Sequence, residues 1–184
     1  GYTRHSSSKV CDKGTFRGLT EKLPYMKDLG INAVLLLPVY EFCETEKELM
    51  PVKRPKKSQD LPEEDTQEKE EQDRINYWGY GTKNTFYLAP KAAYCSHKTS
   101  PSTEFRQMVQ QFHANGIEVL LDIYFAPGTN LFLMTDCLRS WVLKYHVDGF
   151  RINQEVMPSL SVASDPILSG VKILASYWDM NMLH

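Results

Sequence analysis

The segment His146-Val147-Asp148-Gly149-Phe150-Arg151-Ile152-Asn153 carries the most informative chemistry of this chain. Residues two apart on an extended strand share a face, so Arg151 and Asn153 are aimed at one site. A guanidinium and an amide can hold and orient a ligand, but neither supplies a nucleophilic carboxylate. A second apolar run, Val119-Leu120-Leu121-Asp122, delivers an acid in the same way. The simplest role for Asp122 and Arg151 is a mutual ion pair at the rim of a sheet, and direct contact with a ligand is the alternative.

Other constellations are weak. His5, His97, His113, His146 and His184 have no metal-ligand spacing, and His113 and His146 are expected at helix ends, where the last carbonyls favour a cation. Val119 to Asp122 could be mistaken for the acidic strand of a nucleotidase, and Gly79-Tyr80-Gly81 for part of a dinucleotide loop. The chain contains neither GxxxxGK[ST] nor GxGxxG, which argues against both. Cys11, Cys43, Cys95 and Cys137 are far apart with no CxxC pair, so reduced thiols are expected rather than a disulfide framework or a zinc site.

The elements that must position these residues follow from periodicity. Phe16, Leu19, Leu23, Met26 and Leu29 recur at helical spacing, with Gly30 able to close the helix. Ala33 to Leu37 is a continuous apolar run stopped by Pro38, as expected of a parallel strand buried on both faces. Phe105, Met108, Val109 and Phe112 form a helical stripe with Ser102 as candidate N-cap and Asn115-Gly116 at the end. A strand is expected over Ile117 to Tyr124. Leu133, Cys137, Leu138, Trp141, Val142 and Tyr145 give another helix, followed by strands at Gly149 to Ile152 and Val171 to Ala175. This alternation predicts an α/β fold with a parallel sheet.

Composition agrees with a globular domain. The 184 residues are 42% hydrophobic, and 21 basic against 23 acidic side chains give a net charge of -2, with no footprint for nucleic acid or anionic membrane. No apolar run approaches a membrane span, and residues 1–10 have no signal-peptide core. The lack of an initial Met suggests a fragment with any targeting sequence upstream. Glu44 to Arg74 differs from its flanks, with 18 of 31 residues charged, and is expected to be a solvated, disordered loop. The organisation expected is therefore one domain in two parts, 1–43 and 76–184, with the charged segment 44–75 between them.

Four segments together resemble the alpha-amylase-type glycoside hydrolases, especially the debranching isoamylases. Residues 146–153 match the strand-four motif HVDGFRFD. Asn76 to Pro90 is similar to their NFWGY...FFSP segment, Val119 to Gly128 to the strand-three motif DVVFNHT, and Asp165 to Asp179 to the strand-five region DPVLAGTKLIAEAWD. Gly1 to His5 resembles the end of the first barrel strand. The resemblance implies a partial (β/α)8 TIM barrel, roughly strands two to five with their helices, and a site at the carboxyl ends of the strands. Two open sheet edges and one uncovered face would follow, an aggregation risk unless something covers them.

By the same resemblance the catalytic positions have changed. Retaining hydrolysis needs a carboxylate nucleophile and a carboxylic acid about 5 Å away. Asn153 stands at the nucleophile position, and its amide cannot form the glycosyl ester. Ser176 stands where the motif has its general acid, and Ala126 and Pro127 replace an Asn and the sugar-binding His. Glu155 would face the same way as Asn153 if the strand continued, but about 6 to 7 Å further along. Asp179 would lie on the strand face opposite Ser176. Tyr77, Trp78 and Tyr80 are candidate sugar contacts, since aromatic faces stack on sugar C–H surfaces. By resemblance Tyr80 matches the tyrosine that stacks at the cleavage site. The alternative for all three is to anchor a loop.

The implied protein is a catalytically degenerate isoamylase-type subunit of starch metabolism in the plastid stroma. It would bind alpha-glucan (starch, amylopectin) and associate with a catalytic isoamylase subunit. No cofactor, metal, nucleic acid or membrane is implied. Two alternatives are an alpha-1,6-glucan debranching hydrolase using displaced carboxylates, and an incomplete product of a diverged gene.

Overall fold

In the computed structural model, which describes residues 2–51, 69–82, 84–153 and 155–175, the chain begins with two short helices, α1 (Phe16–Thr20) and α2 (Leu23–Asp28). Strands β1 (Ala33–Leu36), β2 (Tyr40–Phe42), β3 (Thr45–Pro51), β4 (Lys69–Ile75) and β5 (Thr85–Pro90) follow. Then come α3 (Pro101–Ala114), β6 (Glu118–Ile123), α4 (Leu131–Tyr145), β7 (Gly149–Ile152), α5 (Ser159–Ala163) and β8 (Lys172–Ala175).

The four apolar runs form one parallel sheet in the order β1-β6-β7-β8, with each successive strand joined through a helix-containing crossover. This is half of a (β/α) barrel. On one face α3 and α4 bury the apolar side chains of the sheet. Phe105 meets Trp141 and Tyr145 edge-on, with ring centres 5.2 Å away in both cases, and Phe16 of α1 at 5.1 Å. Val119, Leu121, Ile123, Phe150 and Ile152 complete this core. Each such burial contributes about 1.5–3 kcal/mol against chain entropy.

The other face is open where Leu35 (41% exposed) and Leu174 (43%) project. Burial of β1 on both faces is therefore corrected: alternate residues of the strand are exposed. Among the described residues β1 and β8 each have one neighbour and bound the sheet.

Several local expectations also change. The helix expected from Phe16 to Leu29 is two helices, because Pro24 starts a new one and cannot donate into the turn before it. Phe16, Leu23 and Met26 are buried as expected, while Leu29 is exposed. Ser100, not Ser102, caps α3 by accepting from the Thr103 N–H at 3.2 Å, since Pro101 suits the first helical position. Residues 2–4 form a turn rather than the end of a strand. His113 lies in the last turn of α3 and His146 caps the end of α4, as expected.

The charged segment is corrected at its two ends. Residues of β3 and β4 pair antiparallel, with Glu46 the ladder partner of Arg74 and Lys47 that of Asp73. Residues 52–68 lie outside the described residues. A second antiparallel pair, β2 with β5, packs beside the parallel sheet and was not expected.

Candidate functional site

Register brings two of the expected residues together. Asp122 near the end of β6 is the ladder partner of Arg151 on β7, so both side chains leave the same face of adjacent strands. Arg151 Nη1 donates to Asp122 Oδ2 at 2.8 Å. The Tyr80 hydroxyl donates to the same oxygen at 2.6 Å. Asp122 is buried, whereas about half of the Arg151 side chain is exposed. Burial, and then the adjacent Asp122 carboxylate, push the Tyr80 phenol above its ordinary pKa and keep it a neutral donor.

The loop carrying Tyr80 is organised by a residue that sequence reasoning missed. Asn76 Oδ1 accepts from the N–H groups of Trp78 and Gly79 at 3.0 Å, and its Nδ2 donates to the Tyr80 carbonyl at 2.7 Å. Such an Asx turn is legible in principle, because Asn76 lies three residues before Gly79. Gly79 has φ +78°, and a Cβ there would lie 2.6 Å from the Phe42 ring. Tyr40, fully buried, points its hydroxyl between the Gly79 and Tyr124 carbonyls at 3.3 and 3.4 Å. Tyr124 meets the Tyr80 ring edge-on at 6.1 Å.

Tyr77 and Trp78 are not buried in this loop: they are 61% and 63% exposed, and their rings remain open to a ligand. The loop is held by Asn76 instead. Of the three aromatic candidates, only Tyr80 joins Asp122 and Arg151.

Asn153 is otherwise engaged. Its Oδ1 accepts from the Phe125 N–H and its Nδ2 donates to the Phe125 carbonyl, both at 2.9 Å. The amide thus extends the β6-β7 pairing beyond the strand ends. Ala126 gives its N–H to the Tyr87 hydroxyl at 3.0 Å, and its carbonyl accepts from the Thr129 N–H. Pro127 is exposed in that turn. β7 does not continue to Glu155, because the chain turns at 155–156 and leaves Glu155 exposed, so it does not share the strand face of Asn153. Ser176 and Asp179 lie outside the described residues.

No second carboxylate enters the Asp122 network among the described residues, nor do three His, Cys, Asp or Glu side chains gather there as a metal site. All four cysteines are free thiols. No described helix is long and apolar enough to cross a membrane.

A parallel half-barrel with an acid and a cation near the carboxyl ends of adjacent strands, joined there by a loop tyrosine, has the architecture of the (β/α)-barrel proteins. The family model described as "Alpha amylase, catalytic domain" matches residues 2–126, and the chain belongs to that family. It is 28% identical to isoamylase 1, chloroplastic, of Arabidopsis thaliana over 266 aligned residues, covering 100% of this chain and 32% of the relative. With isoamylase 3, chloroplastic, of Oryza sativa subsp. japonica it shares 29% identity, covering 94% and 28%. The chain thus spans about a third of the length of these curated relatives. Among solved structures, a pullulanase of Paenibacillus barengoltzii in complex with maltohexaose and alpha-cyclodextrin superposes with a TM-score of 0.67 at 19% identity. That match covers 97% of this chain and 34% of the pullulanase. The fold is a partial (β/α)8 barrel, and the curated relatives include chloroplastic isoamylases and a glycogen operon protein GlgX homolog of Haemophilus influenzae.

Proposed function

We propose that this chain is a non-catalytic, glucan-binding member of the isoamylase branch, acting beside an active isoamylase in the plastid. One observation carries the proposal. At the position where the family motif holds its nucleophile, both polar atoms of Asn153 are bound to the Phe125 backbone. A residue committed in this way holds two strands together and cannot attack a sugar. The Asp122, Arg151 and Tyr80 cluster remains polar, and the loop that carries Tyr80 also carries the exposed rings of Tyr77 and Trp78. Such rings suit stacking on the C–H faces of a glucan. The chloroplastic relatives support the plastid location.

The test is sedimentation of the purified chain with amylopectin, alone and mixed with an active isoamylase, with reducing ends measured in the same tubes. Co-sedimentation with faster release by the mixture than by the isoamylase alone is expected. A mixture no faster than the isoamylase removes the regulatory role, and failure to co-sediment removes the glucan-binding one.

A further inference from the structure

A groove of about 290 Å³, whose lining includes none of Tyr80, Asp122 and Arg151, lies between the first half of α4 and the segment 161–166. Its apolar wall is Leu131, Phe132 and Pro166. Phe132 is 79% exposed in a protein that buries six of its eight phenylalanines. An aromatic ring left in water costs solvation free energy unless something covers it.

The rest of the lining, on the same face of α4 and along residues 161–165, is a polar wall held in place. Arg139 donates through Nε to the buried Asp165 at 2.7 Å, and through Nη1 to Asp136 at 3.1 Å. Asp165 also accepts from the N–H groups of Ile167 and Leu168 at 2.9 and 3.0 Å, which fixes that wall to the backbone. Hydroxyls line the remainder: Thr135 Oγ1 donates to the Leu131 carbonyl and Ser164 Oγ to the Leu160 carbonyl, which leaves both oxygens free to accept.

These features select a ligand class. Arg139 is already neutralised by two carboxylates, so the groove offers no free cation for a phosphate or other anion. A hydroxyl-rich neutral ligand with one apolar face fits both walls, and the volume is near the lower end for a ligand site. We infer that this groove is a second binding site for a neutral hexose oligosaccharide, stacked on Phe132 and hydrogen-bonded along Thr135, Asp136 and Ser164. This deepens the glucan-binding reading and rests on it. The preset Arg139–Asp165 wall lowers the ordering cost of capture.

The experiment is retardation of the whole chain in native gels containing amylopectin, with Phe132→Ala, Phe132→Trp and Trp78→Ala compared with the unaltered protein. Phe132 is exposed, so its replacement leaves the core untouched, and circular dichroism checks this. Phe132→Ala is expected to weaken retardation about three- to tenfold, the range of one lost aromatic stacking contact. Phe132→Trp should preserve it and show a fluorescence change on adding maltohexaose beyond that of the unaltered protein. Folded Phe132→Ala with unchanged retardation would overturn the second site, even if Trp78→Ala weakened binding and so upheld the primary reading. No retardation of the unaltered protein would overturn both.

Discussion

Asn153 and Phe125 are joined by two opposed hydrogen bonds of 2.9 Å, one in which the side-chain amide accepts and one in which it donates. An amide does both at neutral pH, whereas an ionised carboxylate has no proton to give.

Replacing this amide by the acid is therefore expected to damage the fold before it could help any chemistry. In Asn153→Asp the Phe125 carbonyl would face a carboxylate oxygen, one hydrogen bond would vanish, and stability at pH 7 should fall by about 1–3 kcal/mol. Protonation restores the donor, so the folded state raises the new carboxyl's pKa, and its favourable contribution is present at low pH and lost as pH rises. Urea unfolding of both proteins at several pH values should show the deficit shrinking toward acid. A deficit independent of pH would count against this role of the Phe125 carbonyl.

Tyr80→Phe removes the hydroxyl that donates to Asp122 while Arg151 remains. A loss of about 1–2 kcal/mol in denaturant unfolding is expected, below the upper range for bonds to charged groups because one partner survives. Glucan retardation should weaken together with it.

The alkaline limb should report three tyrosines, Tyr40, Tyr80 and Tyr94, each raised first by burial. All three lie above the ordinary phenol value, with the Asp122 carboxylate adding to the effect at Tyr80. A raised folded pKa gives stability that is complete below the unfolded value, about 10, and is lost as pH climbs through the folded one. Phenolate absorbance should accordingly rise in two phases, with the second coinciding with loss of the circular dichroism signal. A single phase in the folded protein would contradict it.

On the acid side, Glu104 and Asp165 act in the opposite sense. Burial pushes the Glu104 carboxyl up, but the Ser96 hydroxyl, the Ser96 and Arg17 N–H groups and the Cys95 thiol outweigh it and hold it below the usual range. For Asp165 the Arg139 guanidinium lowers the value first, followed by two backbone N–H groups. Both contributions are present above the unfolded carboxyl pKa, about 4, and disappear as pH falls through the depressed folded values. Glu104→Gln should cost about 1.5–3 kcal/mol at pH 7 and flatten the acid limb of a stability–pH curve.

Phe105→Ala tests the core that presents the site. The ring is fully buried among Phe16, Trp141 and Tyr145, so a loss of about 3–5 kcal/mol is expected in calorimetric or denaturant unfolding.

The parallel sheet was legible because each of its strands is an apolar run bounded by a turn residue or a helix end. The rim pair was legible too: Asp122 and Arg151 sit at equivalent positions near the ends of two such runs, and parallel register makes them neighbours. The antiparallel β2-β5 pair was not, since Tyr40–Phe42 is three residues long and shows no period. The tie between Glu104 and the Arg17 N–H was equally hidden, because the two are 87 residues apart and their pairing depends on the finished fold. The commitment of Asn153 to the Phe125 backbone could not be read either. The side chain alone says what the residue cannot do, and only the meeting of two strand ends says what it does.

Catalysis by this chain is decided by reducing-end release from amylopectin by the purified protein, with pelleting on the same polymer measured in parallel and an active isoamylase as positive control. A non-catalytic, glucan-binding role predicts that the chain pellets with amylopectin and releases no reducing ends above the protein-free background. Release by the chain alone, abolished by Asp122→Asn, would contradict it and return the Asp122 site to catalysis.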